Sequence, residues 1–469
     1  MTSRDPSLWV RVAALVLLSC GILCGSARAQ SHQGVFYNND FSYLEGPDAV
    51  DTYLGDAFKR RNVGPLVTVD GGGEYRMRHQ SGQTANPNRT NDHLLHRTRL
   101  YFNAEVDGWF RAYVEGVDAV SDFDDVAPLP IDENRFDALN LFGDVKLWDG
   151  TRGSMVFRAG RQEMLYGAQR LLSPLDWWNT RRTFDGLTAM WQGDEWDVDA
   201  WWSRPVPFGQ HVVGGVTDHN FDAPDQNQEF SGVWATWKRY KSHKFDFYYL
   251  RLNEYDPTVS TFDYNTLGFR WDGKGSWLLW EIEAGCQFGD FSPVDAPELT
   301  HSAGFYTVGL GHKFDLPFDP ALWFYFDYAS GDDNPNDGTN RTFNQLFPLG
   351  HKYFGFMDFI ARQNIEDWNV RLTATPHEKV KLLMWYHVFH LQSASDSLYN
   401  AAGVPIRTDA TGASGNDVGQ ELDFTATFLL KPRCDLLLGY SHFFSGPFLN
   451  KTGGVAGEDF YYGQFRVRF

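Results

Sequence analysis

The sequence predicts an all-β fold: an antiparallel transmembrane β-barrel of about eighteen strands with long extracellular loops. Three observations point to it. Aromatic residues make up 16% of the 469 residues, with 38 Phe, 21 Tyr and 17 Trp, a usage that suits aromatic girdles. Segment after segment alternates apolar and polar residues with the period of two that a strand imposes. The last segment sets Tyr461, Gly463, Phe465, Val467 and Phe469 on one face and Tyr462, Gln464, Arg466 and Arg468 on the other. It stops on an aromatic residue, as the closing strand of an outer-membrane barrel does.

The amino end reads as a secretory signal. Arg4 and Arg11 flank a short basic region, Val12 to Gly25 is apolar, and Ala27-Arg28-Ala29 is an A-x-A site. Residues 1–29 are therefore expected to be a signal peptide cleaved after Ala29. Residues 30–64 read as a periplasmic N-terminal segment and residues 65–469 as the barrel. No later apolar run approaches the ~18 residues of a membrane helix, so strands must do the crossing.

The alternation begins at Val67. Val67, Val69, Gly71, Gly73, Tyr75 and Met77 oppose Thr68, Asp70, Glu74, Arg76 and Arg78. A polar loop is expected over 80–92. Leu100, Phe102, Ala104 and Val106 then oppose Arg97, Arg99, Asn103 and Glu105, and Asp107-Gly108 reads as a tight turn. Further on, Phe110, Ala112 and Val114 oppose Arg111 and Glu115. Past an acidic loop at 122–133, Leu139, Leu141 and Val145 oppose Asn140, Asp144 and Lys146. Asp149-Gly150 is a second expected turn. Downstream, Trp280, Ile282, Ala284, Cys286 and Phe288 oppose Glu281, Glu283 and Gln287. The segments that begin at Trp196, Leu267, Leu322, Trp368, Val380 and Leu422 alternate likewise, and less clean alternation near Ser154, Asp185, Glu229, Lys244, Ser302 and Cys434 completes a count of about eighteen. Alternation does not say which face meets water. The signal, the terminal Phe and the alternation of tight turns with long loops favour a membrane barrel over a soluble sandwich.

The densest motif is Gly160-Arg161-Gln162-Glu163-Met164-Leu165-Tyr166-Gly167. It continues through Arg170, Trp177, Arg181-Arg182 and Asp185-Gly186. Two further stretches accompany it: Ala329-Ser330-Gly331-Asp332-Asp333-Asn334-Pro335, and Gly419-Gln420-Glu421-Leu422-Asp423. Together they resemble the alginate-export outer-membrane porins in order along the chain. The resemblance implies an eighteen-stranded barrel in the bacterial outer membrane, with an arginine-rich lumen that passes an anionic polysaccharide. It also implies as partners outer-membrane lipid, the polysaccharide, and periplasmic export or assembly proteins.

A polyuronate carries a carboxylate on each sugar, and the cation that forks onto carboxylates and keeps its charge is arginine. By alternation, Arg76, Arg97, Arg99, Arg111, Lys146, Arg270, Arg371, Arg466 and Arg468 face the lumen with the polar set. The same residues equally suit cross-strand ladders, for instance Arg97, Arg99 and Arg111 with Glu105 and Glu115. Arg181 and Arg182 fit either an entrance guard or partners for nearby carboxylates. Net charge is −19, which argues against nucleic acid as a partner. The acidic loop at 332–338 is out of step with EF-hand spacing. There is no HExxH, GxSxG, P-loop or CxxC, so no enzyme, cofactor or metal centre is expected. Cys286 and Cys434 fit either a disulfide or, the reading favoured, two small apolar residues on strands. A general diffusion porin and a secreted soluble β-rich carbohydrate-binding protein are the alternative readings.

Overall fold

The structure, a computed structural model, describes residues 33–45, 51, 53–83, 90–209, 212–213, 216–217, 221–455 and 457–469. The expected signal peptide at 1–29 lies outside the described residues. Eighteen antiparallel strands close into a barrel. They are β1 Val67–Gln83, β2 Thr90–Val106, β3 Phe110–Asp122, β4 Asn134–Gly150, β5 Gly153–Gln162 and β6 Thr183–Gly193. Next come β7 Trp196–Val206, β8 Gln228–Trp237, β9 His243–Glu254, β10 Thr261–Lys274, β11 Leu279–Ser292 and β12 Leu299–Lys313. The last six are β13 Ala321–Ala329, β14 Ile365–His377, β15 Val380–Leu391, β16 Asp417–Lys431, β17 Cys434–Ser445 and β18 Asp459–Arg468. Each pairs with its sequence neighbours, and β18 pairs with β1 from Glu74–Arg468 to Gly82–Phe460. Closure leaves no open edge, which a sheet in hydrocarbon requires.

Solvent exposure answers what alternation left open. Large apolar side chains on the strands point outward: Leu100, Phe102, Phe110, Leu141, Leu267, Phe324 and Trp368 are exposed. Inward, Glu74, Arg97, Arg99, Glu115 and Asn140 are fully buried. An apolar exterior around a polar interior is the inverse of a soluble sandwich and fits a barrel in lipid. Among the described residues no helix is long and apolar enough to cross a membrane.

Tight connections gather at one end. Asp107 and Gly108 both have positive φ, 54° and 70°, as a type I′ hairpin turn demands. The second expected turn is displaced: β4 continues through Gly150, and Thr151-Arg152 makes the connection. A register shift between Lys146 and Trp148 carries the strand past the expected site. The expected loop at 80–92 is also shorter. Ser81 and Gly82 pair with Asp92 and Asn91, so β1 and β2 keep their ladder where the side chains turn polar.

Two long connections, 163–182 and 330–364, rise from the other end and fold into the lumen. They touch at a parallel bridge between Leu172 and Phe347. Leu171, Leu172, Phe343, Phe354, Met357, Phe359 and Ile360 make an apolar core there, each at most 2% exposed. Burying such side chains stabilises by about 1.5–3 kcal/mol each, which offsets ordering two long loops. The N-terminal stretch also enters. Phe36 and Tyr37 pack on Tyr101, Tyr113 and Phe142 of the wall.

Candidate functional site

The site is built from one stretch of wall and the loop pressed on it. Arg466 of β18, Arg76 of β1 and Arg97 of β2 stand side by side in cross-strand register. On the next inward rung Glu74 pairs with Arg468 on one side and Arg99 on the other. Like charges directly opposite each other destabilise a sheet, so this row needs counter-groups. The wall supplies Glu74 to Arg97 at 2.7 Å and Asp435 to Arg466 at 3.0 Å, and loop 163–182 adds Asp176-Trp177-Trp178. Arg97 Nη2 donates to Asp176 Oδ1 at 2.8 Å, and Arg181 donates to the same carboxylate. Arg76 donates to the carbonyls of Asp176 (2.7 Å) and Trp178 (2.6 Å). Arg78 donates to the Trp177 carbonyl and lies 4.0 Å over its ring. Burial alone would raise the Asp176 carboxyl, but Arg181 first, then Arg97 and Arg76, hold it well below the usual carboxylate range.

The other basic positions named from alternation also have protein partners. Arg99 binds Glu115 Oε1 at 2.7 Å and the Gly34 carbonyl at 3.0 Å. Arg111 donates to Asn103 and to the Tyr37 carbonyl. Arg466 pairs with Asp435 at 3.0 Å and Arg468 with Glu74 at 2.9 Å. Lys146 meets Asp149 near the tight-turn rim, and Arg371 donates to the Tyr325 hydroxyl. Arg270 stands apart, across the lumen on β10, held by Asp246, Asp272 and Glu281. That wall is acidic. Glu281 and Glu283 bind Arg170, and Asp327 binds Arg362 at 2.9 Å. The barrel thus has a basic wall over β18 to β2 and an acidic wall over β9 to β16.

The dense motif launches the inserted loop. Arg161 forks onto Asp185 at 2.7 and 3.1 Å across β5 and β6. Gln162 donates to Thr188 Oγ1. Gly160 has φ 130°, and a Cβ there would sit 2.2 Å from the Leu141 carbonyl. A Cβ on Gly186 would meet the Trp202 carbonyl at 2.3 Å. Gly167 turns under the Trp234 ring with φ 55°, and Tyr166 donates to Asp199 at 2.8 Å. Arg170 reaches the acidic wall; Arg181 binds Glu163 and Asp176; Arg182 donates to the Ser173 and Pro348 carbonyls. Arg181 is thus held by carboxylates of its own loop, whereas Arg182 clamps the two inserted loops through backbone carbonyls. On the tight-turn side the loops leave a cavity of about 1080 Å³, walled by Phe36–Phe41, Arg111, Arg158, Tyr166 and Lys244.

Asp176, Trp177 and Trp178 as ligands of the wall were missed by sequence reasoning, as was loop 343–360. A signal was present. Phe354-Gly355-Phe356-Met357-Asp358-Phe359-Ile360 is too apolar for a solvated loop and had to find a core.

A closed barrel with an apolar exterior, a charged interior and loops folded into its bore is an outer-membrane channel of the bacterial porin class. The sequence profile of the alginate export family matches residues 67–462, and the chain belongs to that family. No curated protein matches it. Among solved structures it is similar to OccD3 (OpdP) of Pseudomonas aeruginosa, at 10% identity and a TM-score of 0.54 over 85% of this chain and 91% of that one. OccK8 (OprE) of the same organism gives 10% identity and 0.54 over 85% and 98%. Its outer membrane protein OprD gives 9% and 0.51 over 85% and 92%. At these identities the likeness concerns the fold.

Proposed function

We propose that this outer-membrane channel passes an anionic polysaccharide of the polyuronate class, or fragments of one, along its basic wall. The observation that carries the reading is the row Arg466, Arg76 and Arg97 in cross-strand register. Three guanidiniums side by side repel one another, and carboxylates laid along them relieve that repulsion, as Glu74, Asp176 and Asp435 do here and as a chain of uronates would. Membership of the alginate export family supports the same substrate class. Across the lumen, Arg170 and Arg270 already neutralise much of the acidic wall, which reduces repulsion of a passing polyanion.

The test is single-channel current in planar bilayers with mannuronate oligomers, galacturonate oligomers and neutral dextrans of matched length. The uronates should block and the dextran should not, and Arg76→Gln with Arg97→Gln should abolish the difference. Equal block by dextran and uronate would instead identify a general diffusion porin.

A further inference from the structure

The wall arginines are already holding something that resembles the proposed cargo. A uronate offers one carboxylate, several neutral oxygen acceptors and an apolar ring face. Asp176-Trp177-Trp178 offers the carboxylate of Asp176 to Arg97 and Arg181, three backbone carbonyls to Arg76, Arg78 and Arg97, and the Trp177 ring to Arg78.

The carboxylates touching these arginines are not equivalent. Glu74, Glu115 and Glu163 side chains are 0% exposed and belong to the wall or to the loop's base. The Asp176 side chain is 30% exposed, so alone among them it borders solvent while its arginine partners stay buried. The segment is also poised between a strained residue and an anchor. Leu175 holds φ 62°, a left-handed conformation that a leucine adopts at a cost. Asn179 pins the far side by donating to the carbonyls of His96, Val120 and Asp132.

We propose that Asp176-Trp177-Trp178 is a built-in pseudo-substrate that closes the channel, and that a uronate carboxylate opens it by taking Asp176's place on Arg97 and Arg181. The inference rests on the polyuronate reading. Because the exchange is carboxylate for carboxylate, the wall keeps its charge balance throughout. A neutral sugar cannot make the exchange, so the latch adds selectivity beyond pore width.

The experiment compares wild type, Asp176→Asn and Asp176→Glu in planar bilayers, with heat-modifiable gel migration as the check of folding. Asp176→Asn loses a charge-assisted contact and should shift the closed-to-open ratio by about tenfold towards open. Asp176→Glu, which keeps the carboxylate, should stay near wild type. Free glucuronate should raise the open fraction of wild type and leave Asp176→Asn unchanged. If Asp176→Asn does not fold, the glucuronate response of wild type decides alone: relief supports the latch and no relief overturns it. Opening by the Asn variant without relief by glucuronate also overturns the mimicry.

The two readings fail separately. If Asp176→Asn and glucuronate both open the channel but a mannuronate tetramer neither blocks nor passes, the latch stands and the polyuronate reading falls. If the tetramer blocks all three proteins alike and nothing opens them, the reading stands and the latch falls.

Discussion

Cys286 and Gln287 are neighbours on β11 with opposite surroundings. Cys286 is an exposed free thiol, beside the exposed Phe288 on the outer face. Gln287 is buried and exchanges hydrogen bonds with the backbone of Asn344 at 3.2 and 2.8 Å. Cys286→Arg should therefore destabilise the barrel by about 2–4 kcal/mol if the residue lies near the bilayer midplane. Equilibrium unfolding in lipid vesicles measures it; an unchanged midpoint would place this face away from lipid. Gln287→Arg faces the lumen but breaks the grip on loop 330–364, so its cost is loss of loop order and not of lipid fit. Alternation gives the direction of both side chains. It cannot give the second consequence, because Asn344 arrives from 57 residues away.

Lys59 makes a residue-scale prediction with a pH sign. It is 1% exposed, and its Nζ donates to the carbonyls of Gly71 and Phe469. Burial first, then the like charge of Arg433, lower it to about 7. The folded pKa lies below the unfolded value of about 10.4, so the unfolded chain binds the extra proton between those values. Stability should rise with pH from about 7 to about 10 and be flat, as far as this group is concerned, below 7. Unfolding midpoints across that window should lose the slope in Lys59→Met; a persistent slope would assign it to another group.

At the scale of elements, the strands were legible and the inserted loops were not. Period-two patterning, Asp107-Gly108 and the terminal strand each carry their geometry in adjacent residues. The loops acquire structure only from what they meet inside a closed barrel. Phe359 is 1% exposed and packs edge-on to Phe443 at 5.2 Å, a contact that exists only because β17 curves round to it. Phe359→Ala should cost about 3–5 kcal/mol of local packing. The barrel's own ladder does not run through this residue, so the expected outcome is an intact barrel with noisier, larger conductance. Gel migration and single-channel recording separate that from global unfolding. The wall–loop contact at Asp176 should behave differently with acid. Its carboxyl is held below the usual range, so its contribution persists above the unfolded value of about 3.9 and is lost only as pH falls through the lower folded value.

At the scale of the whole molecule, inward arginines were readable by register, and their state was not. Each of the nine basic positions faces a partner, and Arg76, Arg97 and Arg99 are at most 2% exposed. A period-two pattern places a guanidinium in the lumen but says nothing of which carbonyl or carboxylate will occupy it. The asymmetry of the two walls is likewise a property of closure. Arg466 and Arg76 are 390 residues apart in sequence and adjacent only because β18 pairs with β1. The net charge of −19 hides this basic strip entirely.

The most direct measurement of the central claim is the reversal potential of the wild-type channel in planar bilayers under a potassium chloride gradient. A basic wall over β18 to β2 that serves as the path should make the channel anion-selective, and Arg76→Gln with Arg97→Gln should move the potential towards zero. A cation-selective potential that the double substitution leaves unmoved would contradict the account.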